Sequence, residues 1–224
     1  NPDPDPDPDP DPDPDPDPDP DTPITEPNDY PPRFEPILAD ANVIGLYGSV
    51  YPDAFPDAIS WIPFWNHPAT TGQIDYVLDG VEGGPPQDRI IRVIQQPAFD
   101  WFGLFEFPNG EPTPLNLVGY ETFAFDIWTP NVTHLTVRFR DYGANRIWDA
   151  GEAGGNTDGE RAQWIGAEEG LMPNQWSSIE VDLNQLFVTG DARQVGQLVI
   201  LINERSPAYL NNYIYLANLR FTRQ

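Results

Sequence analysis

"ETFAFDIWTPNVTHLTVRFR" (residues 121–140) contains two stretches in which apolar and polar side chains alternate, separated by a segment with Pro and Asn. Alternation with a period of two is typical of β-strands that bury one face. The apolar positions are Phe123, Phe125, Ile127, Leu135, Val137 and Phe139. We therefore expect two successive strands whose apolar faces contribute to one core.

The same alternation recurs in short stretches along most of the remaining chain. These stretches are residues 42–48, 73–79, 89–95, 99–107, 162–167, 177–183, 197–203 and 213–221. Helical patterning is nearly absent apart from one turn at residues 184–187, which Asp182 is placed to cap. About ten short strands predict an all-β fold, an antiparallel two-sheet β-sandwich of the jelly-roll, galactose-binding-like kind. Trp164 and Trp176 stand at strand positions, and we assign both to the core.

The first part of the chain differs in composition from the rest. From Pro2 to Asp21 the sequence is an unbroken Pro-Asp alternation, which has no apolar side chain to bury. We expect residues 1–21 to be an extended polyproline II linker, residues 22–41 an irregular lead-in and residues 42–224 the β-sandwich. A disordered acidic tail without a mechanical role is the alternative for the linker. Because the sequence opens on Asn rather than Met, we expect a module of a longer protein.

Charge restricts the partners of this domain. Without the ten Asp of the linker, 26 of the 36 acidic residues remain against 11 basic ones, which leaves a net charge of about −15. Such a surface argues against nucleic acids and anionic membranes as partners. The chain has no apolar run long enough to insert into a membrane. The absence of cysteine does not decide the compartment, because large secreted domains fold without disulfides.

"SWIPFW" (residues 60–65) places three large aromatic rings in six residues, within an expected connection between two strands. A pyranose presents an apolar CH face that stacks on aromatic rings, while its hydroxyl groups need polar partners. Trp61 and Trp65 are therefore candidates for carbohydrate binding, with Asn66 as a hydrogen-bonding neighbour. The alternative is that these rings close one end of the sandwich.

"FDWFGLFEF" (residues 99–107) carries aromatic residues on both faces of a predicted strand. Strict alternation places Trp101 and Phe105 on one face, and Phe102 and Glu106 on the other. One face must then be covered by the core, a loop or a ligand. Trp101 is a candidate sugar contact, with burial in the core as the alternative.

Trp148 lies in "RIWDAGEAGGNTDG" (residues 146–159), a segment too rich in Gly, Asp and Asn to be a strand. A tryptophan in such a loop has few neighbours to bury it. With Arg146 and Asp149 beside it, Trp148 is a candidate ligand contact, and folding back onto the sheet is the alternative.

Oxygen ligands of the kind that Ca²⁺ prefers occur in two segments. Asp149 and Asp158 lie in the glycine-rich segment, and Asp53 and Asp57 lie in "YPDAFPD". The spacing is not that of an EF-hand, and the second pair could equally cap a turn. We expect one structural Ca²⁺ in the domain.

The sequence gives no sign of catalysis. Glycoside hydrolysis needs two carboxyl groups across a cleft, but with so many acidic residues a suitable pair would arise by chance. His67 and His134 are far apart in the sequence, and neither a G-x-S-x-G motif nor a phosphate-binding loop occurs. We therefore expect a domain that is not an enzyme.

Four blocks together resemble a known family. They are "GLYGSVYPDAF" (45–55), "FAFDIWTPNVTHLTVRFRDYGAN" (123–145), "NQWSSIEVDLNQL" (174–186) and "IYLANLRF" (214–221). In this order they are similar to the β-sandwich carbohydrate-binding modules attached to secreted laminarinases and other marine polysaccharide hydrolases. The resemblance implies a bacterial, extracellular protein, either secreted or on the cell surface, with a covalently linked catalytic domain and a β-1,3-glucan such as laminarin as ligand. The family commonly has Asp at the position of Ala217, and the resemblance implies that this Asp would bind a structural Ca²⁺. The present chain departs from the family at this position.

Together these observations predict a monomeric, non-catalytic module that targets a secreted glycoside hydrolase to a neutral polysaccharide. The expected contacts are stacking on Trp61, Trp65, Trp101 and Trp148 and hydrogen bonds from Asn66, Arg146 and Asp149. The alternatives are a structural or adhesion domain of a cell-surface protein and a small catalytic jelly roll.

Overall fold

The computed structural model describes residues 40–48, 60–61, 70–76, 90–95, 101–106, 115–130, 132–143, 159–187, 192–202 and 212–223. Within these residues the chain forms eleven β-strands, one short α-helix and one 3₁₀ turn. The strands are β1 (Val43–Tyr47), β2 (Ser60–Trp61), β3 (Thr70–Tyr76), β4 (Ile90–Gln95), β5 (Trp101–Glu106), β6 (Thr122–Trp128), β7 (Leu135–Asp141), β8 (Gly159–Ile165), β9 (Ser177–Asp182), β10 (Val195–Ile202) and β11 (Asn212–Thr222). The 3₁₀ turn is Ala167–Glu169, and the helix α1 is Leu183–Leu186.

The strands form two antiparallel sheets. The six-stranded sheet has the order β3-β4-β11-β6-β9, and β1 also pairs with β11. The five-stranded sheet has the order β2-β5-β10-β7-β8. Two packed antiparallel sheets with almost no helix confirm the predicted all-β sandwich.

The two strands of the 121–140 stretch belong to different sheets. β6 lies in the six-stranded sheet and β7 in the five-stranded sheet, so the chain crosses from one sheet to the other between them. Their alternating apolar side chains meet in the core, where the rings of Phe123 and Phe139 pack edge to face at 5.5 Å. The ring of Phe221 from β11 lies 5.1 Å from that of Phe123. The alternation thus predicts the buried face of each strand correctly.

The predicted helical turn is confirmed as α1. Oδ1 of Asp182 accepts hydrogen bonds from the backbone N–H groups of Asn184 at 2.9 Å and Gln185 at 3.2 Å. These two donors have no partner within such a short helix, so the carboxylate satisfies them. Across the described ranges, no helix is long and apolar enough to cross a membrane.

Some strand boundaries differ from the sequence prediction. Ser60 and Trp61 form β2 and pair with β5, although the sequence predicts a connection there. β8 begins at Gly159, three residues before the predicted start. Residues 60–61 and 159–161 lack the apolar-polar alternation that marks the other strands, and they are strands because they pair with residues distant in the chain.

β5 contains an irregularity that the sequence pattern does not show. Phe105 lies opposite Leu198, but Gly103 lies opposite the next residue, Val199, so β5 has one extra residue at position 104. Such a bulge interrupts the alternation along the strand. The prediction that positions 101 and 105 share a face is therefore wrong.

Candidate functional site

The outward side of β7 carries polar side chains. Leu135, Val137 and Phe139 are buried in the core, so the residues between them lie on the opposite face of the five-stranded sheet. These residues pair with the outward residues of the edge strand β8: Thr136 with Trp164, Arg138 with Ala162 and Arg140 with Glu160. We call these six residues the outer patch.

Trp164 is the large aromatic residue of the outer patch. Its side chain is 50% exposed, so the prediction that Trp164 lies in the core is wrong. The following residue, Ile165, takes the inward position and is fully buried, and alternation then places Trp164 outside. Trp176 is half-buried and packs against a separate apolar cluster on the six-stranded sheet.

The ring of Trp164 lies against Gly166 and beside the ring of His134. Gly166 leaves room for it, because a methyl group on this residue would lie only 2.3 Å from Cη2 of the ring. The side chain of Glu169 accepts a hydrogen bond of 2.7 Å from the N–H of Gly166 and fixes this residue at the start of the 3₁₀ turn. The ring of His134 lies 5.4 Å from that of Trp164, tilted by 45°. The indole is therefore positioned before any ligand arrives, which lowers the entropic cost of stacking.

A charged group occupies the other end of the outer patch. Nε of Arg140 donates a hydrogen bond of 3.0 Å to Oε2 of Glu160. Nε of Arg138 lies 3.1 Å from Oε1 of the same carboxylate, without the alignment of a hydrogen bond. Nη1 of Arg140 also donates to Oε1 of Gln197 at 2.7 Å. One carboxylate thus bridges two guanidinium groups, and Gln197 on β10 orients one of them.

Accessibility is uneven across this face of the sheet. Gln197 and Val199 on the central strand β10 are buried, although they pair with the outward residues of β7. Glu160, Ala162 and Trp164 on β8 are exposed. Among the described residues of this face, the accessible ones therefore lie at the β8 edge, where an aromatic ring and charged hydrogen-bonding groups are neighbours.

This combination suits a ligand with one apolar face and many hydroxyl groups. Sugar rings stack on indoles through their CH face, and guanidinium and carboxylate groups donate to or accept from hydroxyl groups. No nucleophile with an adjacent base occurs among the outward residues of β7 and β8. The groups that the patch does present are an indole ring and side chains that form hydrogen bonds.

Two of the predicted site residues lie on described strands. Trp61 is in β2, opposite Phe105 of β5. Trp101 is in β5, opposite Leu201, which pairs in turn with Thr136 and through it with Trp164. Positions 101 and 164 therefore lie in one row across four strands, about 14 Å apart at roughly 4.8 Å per strand. The structure does not describe the side chains of Trp61 and Trp101.

The other predicted site residues lie outside the described residues. They are Trp65, Asn66, Arg146, Trp148 and Asp149 for the carbohydrate, and Asp53, Asp57, Asp149 and Asp158 for the metal. Their roles stay predictions. Within the described ranges, no group of three or more His, Asp or Glu side chains is arranged to hold a metal ion.

A buried carboxylate lies on the outward side of the six-stranded sheet. Asp126 is 1% exposed and accepts hydrogen bonds of 2.6 Å from Oγ of Ser178 and from Nδ2 of Asn218. Oδ1 of Asn218 is buried without a hydrogen-bond partner in the described part of the chain. These contacts join β6, β9 and β11, and we assign the cluster to stability.

No protein-family model matches the sequence, and no curated protein matches it. Among solved structures, the fold is similar to the family 30 carbohydrate-binding module of the cellulosomal cellulase Cel9D-Cel44B of Clostridium thermocellum, with 16% identity over 84% of this chain and 96% of that one and a TM-score of 0.49. It is also similar to the family 11 carbohydrate-binding module of Clostridium thermocellum in complex with a β-1,3-1,4-mixed-linked tetrasaccharide, with 11% identity over 85% of this chain and 94% of that one and a TM-score of 0.43. An exo-β-agarase matches with 11% identity over 81% of this chain and 25% of its own length and a TM-score of 0.46. These values assign neither a ligand nor a binding residue to the present chain.

Proposed function

We propose that this domain is a non-catalytic carbohydrate-binding module whose outer patch binds a neutral polysaccharide. The observation that carries the proposal is the half-exposed indole of Trp164, positioned by Gly166 and His134 beside the Arg138–Glu160–Arg140 group. The exposed half of this ring is already oriented for stacking, and a sugar ring that covers it would bury apolar surface at low entropic cost.

The charge of the domain supports a neutral ligand. A net charge of about −15 outside the linker would repel uronic or sulfated chains as they approach. The sequence resemblance supports a β-1,3-glucan such as laminarin. An extracellular location and a covalently linked hydrolase belong to the same proposal, since binding to insoluble or polymeric substrate raises the local concentration of an attached enzyme.

The first test is affinity electrophoresis of the 224-residue chain in native gels that contain laminarin, mixed-linkage β-glucan, xylan, agarose or alginate. We expect retardation in one or more of the neutral gels and none in alginate. Titration calorimetry with a β-1,3-1,4-linked tetrasaccharide then gives an affinity for a defined ligand. Folded protein with unchanged mobility in every gel would contradict the proposal and favour an adhesion domain.

Replacing Trp164 by Ala tests the site itself. Loss of ring stacking should weaken binding about tenfold or more, while the unfolding free energy should fall by less than about 1 kcal/mol because the side chain is half exposed. Trp164→Phe, which keeps a smaller ring, should retain part of the affinity.

Trp176→Ala is the matched control, because this tryptophan packs on the other sheet. It should lower stability and leave the affinity at the wild-type value. Equal affinity of the wild type and Trp164→Ala would remove the outer patch as the binding site.

A further inference from the structure

We propose that Glu160 is a specificity-determining residue that makes the outer patch select neutral chains over anionic ones. This inference rests on the proposed function, because it concerns the charge of the ligand at the same site. Glu160 acts through the two arginines, so it is a positioning residue for the polar half of the patch.

The contacts of Glu160 support this role. Its two carboxylate oxygens face two different guanidinium groups, 3.1 Å from Nε of Arg138 and 3.0 Å from Nε of Arg140. The side chain of Glu160 is 36% exposed, and those of Arg138 and Arg140 are 26% and 20% exposed. The carboxylate therefore lies at the Nε edge of each guanidinium, where Nε of Arg138 is itself buried, and it is the most exposed of the three side chains.

An external anion would compete with Glu160 for the same groups. Two neighbouring guanidinium groups are a good binding site for carboxylate or sulfate, because each can donate two parallel hydrogen bonds to such a group. With Glu160 in place, the three side chains carry one net positive charge, and without it they would carry two. The intramolecular carboxylate thus supplies the anion that a uronic or sulfated chain would otherwise supply.

The stability of the sheet does not require this ion pair. β7 and β8 are paired through seven register positions from Leu135 opposite Ile165 to Asp141 opposite Gly159. A partly exposed ion pair contributes little beyond such backbone pairing, roughly 0–1 kcal/mol. Glu160→Gln keeps the shape and one acceptor oxygen, so this variant should fold.

The experiment compares two matched ligands, hydroxyethyl cellulose as the neutral chain and carboxymethyl cellulose as the anionic one, with laminarin and carboxymethyl laminarin as a second pair. The proteins are the wild type, Glu160→Gln, Glu180→Gln and the double variant Arg138→Gln, Glu160→Gln, all as full chains. Glu180 is exposed on β9 of the six-stranded sheet, so its replacement changes the net charge equally but far from the patch. Affinity is measured by gel retardation at low salt and at 0.5 M NaCl.

We expect Glu160→Gln to raise the ratio of the affinity for the anionic chain to that for the neutral chain about fivefold at low salt. The reason is that the variant adds one unit of positive charge next to the ligand. At 0.5 M NaCl the gain should disappear, because exposed charges are screened. Glu180→Gln should keep the wild-type ratio. The double variant Arg138→Gln, Glu160→Gln returns the patch to one positive charge and should also return to the wild-type ratio.

Two failures are distinguishable. If the wild type binds none of the neutral chains, the proposed function is wrong and this inference falls with it. If the wild type binds a neutral chain but Glu160→Gln and Glu180→Gln give the same ratio, the charge-selecting role of Glu160 is wrong and the proposed function stands. A double variant with the ratio of Glu160→Gln would likewise overturn the role.

Discussion

Trp128 and Trp164 occupy comparable positions on the two sheets and have opposite surroundings. Each stands next to an inward isoleucine, Ile127 or Ile165, so alternation places both tryptophans on the outward side of their strand. Trp128 is 4% exposed and packs edge to face on Tyr215 at 5.6 Å, whereas Trp164 is 50% exposed. Alternation therefore decides which side of a sheet a residue takes, and the tertiary structure decides whether that side is covered.

The acidic residues repeat this contrast. Asp126 is buried and bound by two neutral donors from neighbouring strands, whereas Glu160 is exposed and bridges two arginines. Replacing a buried, hydrogen-bonded carboxylate lowers the unfolding free energy more than replacing one partner of an exposed ion pair. We therefore expect the outward side of the six-stranded sheet to serve stability and that of the five-stranded sheet to serve binding.

The largest expected effect comes from Trp128→Ala. Removing a fully packed indole should lower the unfolding free energy by about 3–5 kcal/mol, because it deletes apolar contacts and leaves a cavity. Urea denaturation of this variant beside Trp164→Ala measures the difference between the two faces. Similar losses of unfolding free energy in both variants would show that the two tryptophans are equally packed, contrary to our assignment.

Asp126→Asn should have the next largest effect, a loss of about 1.5–3 kcal/mol. The substitution replaces one of two charged acceptor oxygens by a donor nitrogen, so Ser178 or Asn218, which both donate to residue 126 in the wild type, loses its acceptor or must reorient. Urea denaturation of Asp126→Asn and Glu160→Gln in parallel sharpens the contrast between the two acids. A larger loss for Glu160→Gln would reverse our assignment of the two faces.

Gly166→Ala should have the smallest effect on stability, about 1 kcal/mol or less, together with a loss of sugar affinity. The backbone of Gly166 has φ of −142°, which any residue adopts, so the new methyl group acts through its overlap with the ring of Trp164. The ring must move away, and affinity should fall toward that of Trp164→Ala.

Gly159→Ala, at the other end of β8, is the control, since the nearest atoms to its methyl group would be those at the flexible end of Arg161. Affinity electrophoresis of both variants measures whether only Gly166→Ala loses sugar affinity. Wild-type affinity in Gly166→Ala would show that the position of the indole is not important for binding.

The sequence could predict most of the fold because each strand carries its own signal. The alternation in β6 and β7 is a local property, and so is the capping of α1 by Asp182. The sequence predicted the structure less well where a strand depends on residues distant in the chain. β2 is a strand because it pairs with β5, and the extra residue of β5 is recognised only from its register with β10.

The candidate site was harder to predict than the fold. A tryptophan at a strand position is usually buried, and this expectation gave the wrong place for Trp164. The signal was present in the adjacent Ile165, because two neighbouring large apolar residues in a strand cannot both point inward.

The sequence alone determined that the chain is an acidic all-β sandwich, because period-two alternation and net charge are read directly from the order of residues. Only the tertiary structure decided that Trp164 is exposed, that Gly166 leaves room for its ring and that Glu160 meets both Arg138 and Arg140. The physical reason is that exposure and ion pairing depend on which strand lies next to which. That order follows from packing two sheets around one core, to which residues from the whole domain contribute.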